Sequence, residues 1–466
     1  MAREMTSSPR ETRTDDPILT GLVLLLVVLM PTQRSIKANV TPADLVLGLA
    51  FVWLVGSAVW RFLLRRPNRP SLLWPPVPFW IYLFVAGLSC LRLPSDLEHI
   101  LQDAGSQYQA PLRILVAKEI LQTVELFFIA PLVLVNGLRT RRMTAVAACL
   151  LVGVTCLVVL WGGAQAGSHG SAEAVRATFG SRLAYGGFLA VALPLVWALA
   201  LGLSAPGGAM RMTLISVGLC AMVFVGLYSM PAFGPFWAAA LGLVVVSSAL
   251  PGSAGARWGR TAAALVLIVV PWALAPHRSE FRTPSVALQV TNEDGEKAIA
   301  DRYAEWQAAH AMTMANEVGG TVTQEPGYPL YAGGNAVVGL GPGRYQDKIS
   351  TYGEFLPVNK IEADSQNQYL VIAPTLGLTG VFAFAILLGE GVRSGVRGRE
   401  DETNPPLARV VSAGLVGSLA SLAVACLYLT ALVRGLGLVV MLVLVMAMTL
   451  GPRPAEPPTP PGPDGE

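Results

Sequence analysis

Charge is scarce in this 466-residue chain: Asp, Glu, Lys and Arg together make up 14% of it, against roughly 25% in ordinary soluble domains. A soluble chain of this length would suggest about three domains, but 53% hydrophobic residues leave too little polar surface to solvate them. A net charge of +3 is too small to argue for nucleic acid, and no nucleic-acid partner is expected. Cysteine is sparse as well. The five cysteines all fall inside apolar blocks, without a CxxC pair or a His/Cys spacing, so they read as small buried hydrophobes. No disulfide, metal or cofactor is expected. A GK[ST] sequence is missing, which excludes a nucleotide P-loop. There is no internal repeat, and no small-x-small cleavage site follows the first apolar stretch, which therefore reads as an uncleaved anchor.

What the chain does have is apolar blocks long enough to cross a hydrocarbon core of about 30 Å. Twelve can be drawn, at 18–31, 43–60, 77–93, 114–136, 143–161, 183–203, 212–229, 236–250, 261–275, 368–390, 410–431 and 435–450. The expected fold is all-α: a polytopic membrane protein with about twelve transmembrane helices and one large periplasmic or extracellular loop containing a helix. Residues 1–275 hold helices one to nine, 276–367 the external loop, 368–450 helices ten to twelve, and 451–466 a proline-rich, disordered cytoplasmic tail. Lysine and arginine accumulate on the cytoplasmic side. Eighteen fall on one set of connections, including Arg61, Arg65, Arg66, Arg139, Arg141, Arg142, Arg397 and Arg399. The short connections of the other set hold eight, among them Arg113, Lys118, Arg176 and Arg182. Both termini are thereby expected in the cytoplasm, the chain in the inner membrane, and the long loop outside.

Within that loop Ile299, Tyr303, Trp306, His310 and Met314 recur at helical spacing, between a start near Asn292 and a stop at Gly319-Gly320. A helix of about 25 residues with this apolar face packed on the bundle is expected. Packing is the better role for His310 than catalysis.

Polar groups gather at four outside stretches. "EAVRATFGSRLAYGG" brings Arg176 and Arg182 to the mouth of the sixth segment, where a guanidinium can bind phosphate oxygens through paired hydrogen bonds or snorkel to headgroups. "GLGPGRY" offers a tight turn at Gly339, Gly341 and Gly343, whose N–H groups can approach a ligand, followed at once by Arg344. "IEADSQNQYL" opens the tenth helix with amides and acids. Its free N–H groups could receive an anion, and Asp364 or Ser365 could instead cap it. "LYSMPAFGPFW" is nearly devoid of polar groups.

Gly339, Gly341, Pro342, Gly343 and Tyr345, followed by Asn367, Tyr369, Leu370, Gly377, Leu378 and Gly380, form a pattern that resembles the O-antigen ligase and polymerase superfamily. "TFGSRLAYGGFLAVALPL" is similar to that family's middle helix, and the likeness runs in register over about 170–390. The resemblance implies a membrane glycosyltransferase, inverting and metal-independent, without cofactor. Its donor would be an undecaprenyl-pyrophosphate-linked glycan and its acceptor a second glycan or a lipid, with partners in a polysaccharide assembly complex. Arg344, Asp364 and Gln366 would be catalytic, with Arg176, Arg182, Gly341, Gly343, Tyr345, Asn367 and Tyr369 binding substrate. Where ligases carry a histidine before the asparagine this chain has Gln366, and Met230 stands where the family often has an arginine. These departures favour a polymerase or exopolysaccharide role over a lipid A ligase. The alternatives are a lipid-linked glycan flippase and a catalytically inactive scaffold.

Overall fold

The computed structural model describes residues 16–33, 40–64, 72–91, 93, 97–102, 111–169, 175–203, 210–274, 299–314, 317–318, 321–322, 334–345, 349, 366–432 and 436–451. The proline-rich tail, the start of the loop helix near Asn292, and Asp364 lie outside the described residues.

Each of the twelve apolar blocks coincides with helical structure. In chain order the first helices are α1 (Pro17–Leu29), α2 (Pro42–Leu63), α3 (Val77–Cys90), the short α4 (Leu97–Gln102) and α5 (Leu112–Val124). A π-helical turn, Glu125–Ile129, joins α5 to α6 (Ala130–Gly137). Then come α7 (Arg141–His169), α8 (Arg182–Leu203), α9 (Met210–Tyr228), α10 (Phe233–Ala249), α11 (Ala254–Leu274) and the loop helix α12 (Ile299–Met314). A two-residue ladder pairs β1 (Glu317–Val318) with β2 (Thr321–Val322), and α13 (Gly334–Val338), α14 (Gln368–Glu400), α15 (Pro406–Ala425) and α16 (Gly437–Leu450) complete the order. Among the described residues, eight helical spans are long and apolar enough to cross a membrane; α1, α3, α10 and α16 are apolar but shorter.

α8 is the axis of the bundle, buried along nearly its whole length against α9, α10 and α15. Lipid is as apolar as leucine, so helices in a bilayer adhere by close packing and internal hydrogen bonds. The α10–α15 crossing is built that way: a Cβ on Gly242 would lie 2.9 Å from the Gly417 carbonyl, and one on Gly417 2.8 Å from the Gly242 carbonyl. Nearby, Trp197 donates its indole N–H to Ser247 Oγ at 2.9 Å.

Turns assigned to the arginine-rich side meet at one end of the bundle. Arg141 bridges to Asp401 at 2.9 Å and Arg399 donates to the Ala249 carbonyl at 2.8 Å. Asp401 also accepts from the Thr403 hydroxyl and amide. Those bonds to Thr403, reinforced by the Arg141 charge, hold its carboxyl below the usual aspartate range.

The opposite end carries the long loop, and there α14 is broken. Gly377 sits at φ 75°, ψ 178°, three residues after Pro374. The carbonyls released by this break accept amides from the glycine segment: Leu340 N–H to Pro374 at 2.8 Å, and Gly341 N–H to Thr375 at 3.0 Å. In an apolar surround an unsatisfied carbonyl costs several kcal/mol, so the segment and the break require each other. α12 rests on this junction, though by a different face than its sequence suggests. Glu305, Ala308, Ala309, Met312 and Thr313 are buried, whereas His310 and Met314 are exposed and Trp306 is half-buried. The small Ala308–Ala309 pair lets the helix approach Leu340, Tyr345 and Val371 closely, and that contact outweighs the larger side chains of the expected stripe.

Two outcomes follow for detergent-purified protein. Gly339→Ala and Gly377→Ala each place a Cβ on an opposing carbonyl at positive φ, and should cost about 3 kcal/mol in thermal unfolding. Gly48→Ala, which meets nothing within 4 Å, should be neutral or slightly stabilising. Because Asp401 titrates lower when folded, its contribution is complete above the unfolded value of about 3.9 and disappears as pH falls through its lowered folded value. Tm should therefore drop further between pH 5 and pH 3 in the wild type than in Asp401→Asn; equal drops would show that Asp401 contributes nothing to acid stability.

Candidate functional site

The junction between the glycine segment and α14 is closed from a third side by α5. Gly343, at φ +76°, donates its N–H to a carboxylate oxygen of Glu119. A Cβ at Gly343 would lie 2.6 Å from the Val116 Cα, so only glycine lets the turn touch α5 this closely. Between α3, α5 with its π turn, Pro342 and the first turns of α14 lies a cavity of 210 Å³. Its polar groups are Tyr82, Glu119, Gln122, Thr123, Gln368 and Thr375; the rest of the wall is mainly apolar. The amides hold the cavity's back wall in place. Gln122 donates to the Leu432 carbonyl at 2.6 Å, and Gln368 Oε1 accepts the Leu432 N–H at 2.9 Å. The π turn, a feature frequent at functional sites, projects Leu126 and Phe127 into the same space.

The residues expected to bind substrate turn out in large part to hold the backbone. The α14 start does not present free N–H groups to an anion: Gln368 donates to the Cys426 carbonyl at 2.8 Å, and Tyr369 and Leu370 donate to Asn367 Oδ1 at 3.0 and 3.2 Å. Asn367 is thus the cap, in place of Asp364 or Ser365, and its own carbonyl takes the Val371 amide. The N–H groups of Gly341 and Gly343 are likewise taken, by Thr375 and Glu119, and do not point to a ligand. Tyr345 is buried with Ala308, Met312 and Val371, and Tyr369 donates its hydroxyl to the Ala423 carbonyl at 2.9 Å. All of these amides lie in an apolar end of the bundle and need acceptors, which carbonyl and carboxylate oxygens of the chain itself supply.

Arg344 follows Gly343 and is 1% exposed. Gln366 is equally buried and sits at φ 48°, left-handed backbone that glutamine rarely adopts. Arg176 and Arg182 occupy a corner built by other elements. There Gln165 of α7 accepts the amides of Arg176 and Ala177 at 3.0 and 2.8 Å, and Thr178 donates to the Pro31 carbonyl at 2.8 Å. Phe179 stacks toward Tyr185 and Phe188 beside it, and Tyr185 and Ser229 share a hydrogen bond of 2.9 Å. Met230, at the following turn, is buried. None of Arg176, Arg182 and Arg344 lines the cavity.

Glu119 and Gln122 were the residues that sequence reasoning passed over. The signal was present: Lys118, Glu119, Gln122, Thr123 and Glu125 interrupt a single apolar span, where ionisable groups mark function or internal pairing.

Left-handed backbone costs about 1 kcal/mol in a non-glycine residue. Gln366→Gly should therefore keep or raise Tm; loss of function at unchanged Tm would assign a role to the amide side chain, and a fall in Tm would make it a packing element. Comparison of the chain with family models and with curated proteins found no match.

Proposed function

We propose that this chain is a membrane glycosyltransferase that polymerises or ligates undecaprenyl-pyrophosphate-linked polysaccharide at the outer face of the bacterial inner membrane, with both termini cytoplasmic and all twelve apolar helices crossing. The observation that carries the reading is the junction described above. The two motif-bearing segments, Gly339–Tyr345 and Gln366–Gly380, are hydrogen-bonded to each other and together bound one cavity that also presents a carboxylate.

In this reading guanidinium groups neutralise the charge that develops on the departing pyrophosphate. With the amides of the glycine turn and the α14 start already bonded internally, anion binding falls to Arg344, Arg176 and Arg182. The acceptor oxygen attacks the anomeric carbon, the bond to pyrophosphate breaks with its electron pair on the leaving oxygen, and the hydroxyl proton passes to a carboxylate. Asp364 and Glu119 are the candidates for that carboxylate, and Gln366 orients the hydroxyl by accepting its hydrogen bond. A catalytically inactive scaffold is the second reading. It is favoured by the structural use that the fold makes of Gly341, Gly343, Asn367 and Tyr369.

Purified protein given undecaprenyl-linked glycan, with products separated by size, decides between them. A ladder identifies a polymerase, one discrete adduct on a second lipid or protein a ligase, and no change means neither. Lysine cannot make paired hydrogen bonds to a phosphate, so Arg344→Lys should slow transfer by on the order of 100-fold at unchanged Tm. Wild-type rates in that variant would remove Arg344 from the reaction.

A further inference from the structure

The cavity has a polarity along the helices that enclose it. Glu119, Cys90, Pro342 and Gln368 lie at the rim nearest the loops, whereas Tyr82 and Leu376 lie deeper. Tyr82 is eight residues from Cys90 along α3, about 12 Å at helical rise. Two of its lining residues reach the outer surface of the helices. Gly87 is exposed, and a Cβ there would meet nothing within 4 Å. Val124 on the facing wall is exposed, and the flanks carry Phe84 at 67% and Leu121 at 66% exposure. Apolar side chains this exposed on spanning helices face lipid. A polar rim, an apolar depth and a mouth toward lipid describe a site for an amphiphile.

The charge of the wall selects the head group. Among the described residues no lining side chain carries positive charge, and the one carboxyl is that of Glu119, fixed in place by the Gly343 N–H. A carboxylate repels phosphate and accepts a hydrogen bond from a hydroxyl. At 210 Å³ the cavity exceeds the ~150 Å³ apolar cavity that holds benzene, enough for one chain segment and unsuited to a bulky glycan.

We propose that this cavity is a lateral binding site for a hydroxyl-headed single-chain amphiphile, which enters from the bilayer between α3 and α5 and hydrogen-bonds Glu119. Resting on the glycosyltransferase reading, it would seat the lipid-anchored acceptor on the Glu119 side of the glycine turn that Arg344 follows.

Two photoreactive probes test the site without requiring turnover. They share one diazirine-bearing alkyl tail; one has a glucoside head and the other a phosphate monoester. Full-length protein in lipid nanodiscs is irradiated with each, and the labelled peptides are identified by mass spectrometry. The glucoside probe should label 77–90 and 112–129 about tenfold more than the phosphate probe, a ratio expected of like-charge exclusion. Glu119→Gln keeps the acceptor for Gly343 and should bring the two probes to equal labelling. Gly87→Trp fills the mouth and should abolish labelling by both at unchanged Tm. Equal or stronger labelling by the phosphate probe in the wild type, or undiminished labelling in Gly87→Trp, overturns the site. Labelling as expected in a protein that transfers no glycan keeps the site and overturns the enzyme reading alone.

Discussion

The architecture of the loop-bearing end depends on one contact, in which the glycine segment supplies hydrogen bonds that a broken helix has lost. Pro374 and Gly377 interrupt α14, and the carbonyls of Pro374 and Thr375 would be left bare in an apolar surround. Leu340 and Gly341 fill them from a segment brought back by the long loop. The approach is so close that a side chain at Gly339 or Gly377 would overlap the opposing backbone. Everything nearby inherits its position from this contact. Gly343 reaches α5 and finds Glu119, Tyr345 packs beneath α12, and Gln368 aligns with Leu432.

Rigidity and a cavity therefore arise together. A break in a membrane helix is tolerated where the freed backbone is covered by protein or lines a cavity, and here it does both. The first turns of α14, released from the axis of the longer half, form one wall of the cavity; the π turn after α5 contributes another. Both departures from regular helix lie on the same space. The corner holding Arg176 and Arg182 is built separately, from α7, the end of α1 and the turn after α9. The two regions differ chemically: Arg176 and Arg182 belong to the corner, and the carboxyl of Glu119 to the cavity.

Much of the helical framework was legible because its signal is local. Apolar runs bounded by arginine, proline and glycine translate directly into helices, since a spanning segment must satisfy its backbone within itself. The loop helix was legible in existence and wrong in orientation: His310 and Met314 belong to the larger-looking stripe, but Ala308 and Ala309 permit the nearer approach. The motif residues were found, and the fold gives several of them structural partners that their sequence did not announce. Asn367 looked like a ligand-positioning amide and is a helix cap; Gly341 and Gly343 looked open to a ligand and are closed by Thr375 and Glu119.

The sequence by itself determined the membrane class, the helical blocks, the clustering of arginine on one set of turns, and the residues around which the loop-bearing end is organised. Composition and run length decide those properties, and neither needs a partner from elsewhere in the chain. Tertiary structure alone decided which amides are free and which carboxyl faces a cavity. Glu119 and Gly343 stand 224 residues apart, and no local pattern encodes that a glycine amide in a loop will end on a glutamate inside an earlier helix. Hydrogen bonds are made by proximity in space, so the identity of a polar group is written in the sequence while its availability is set by the fold.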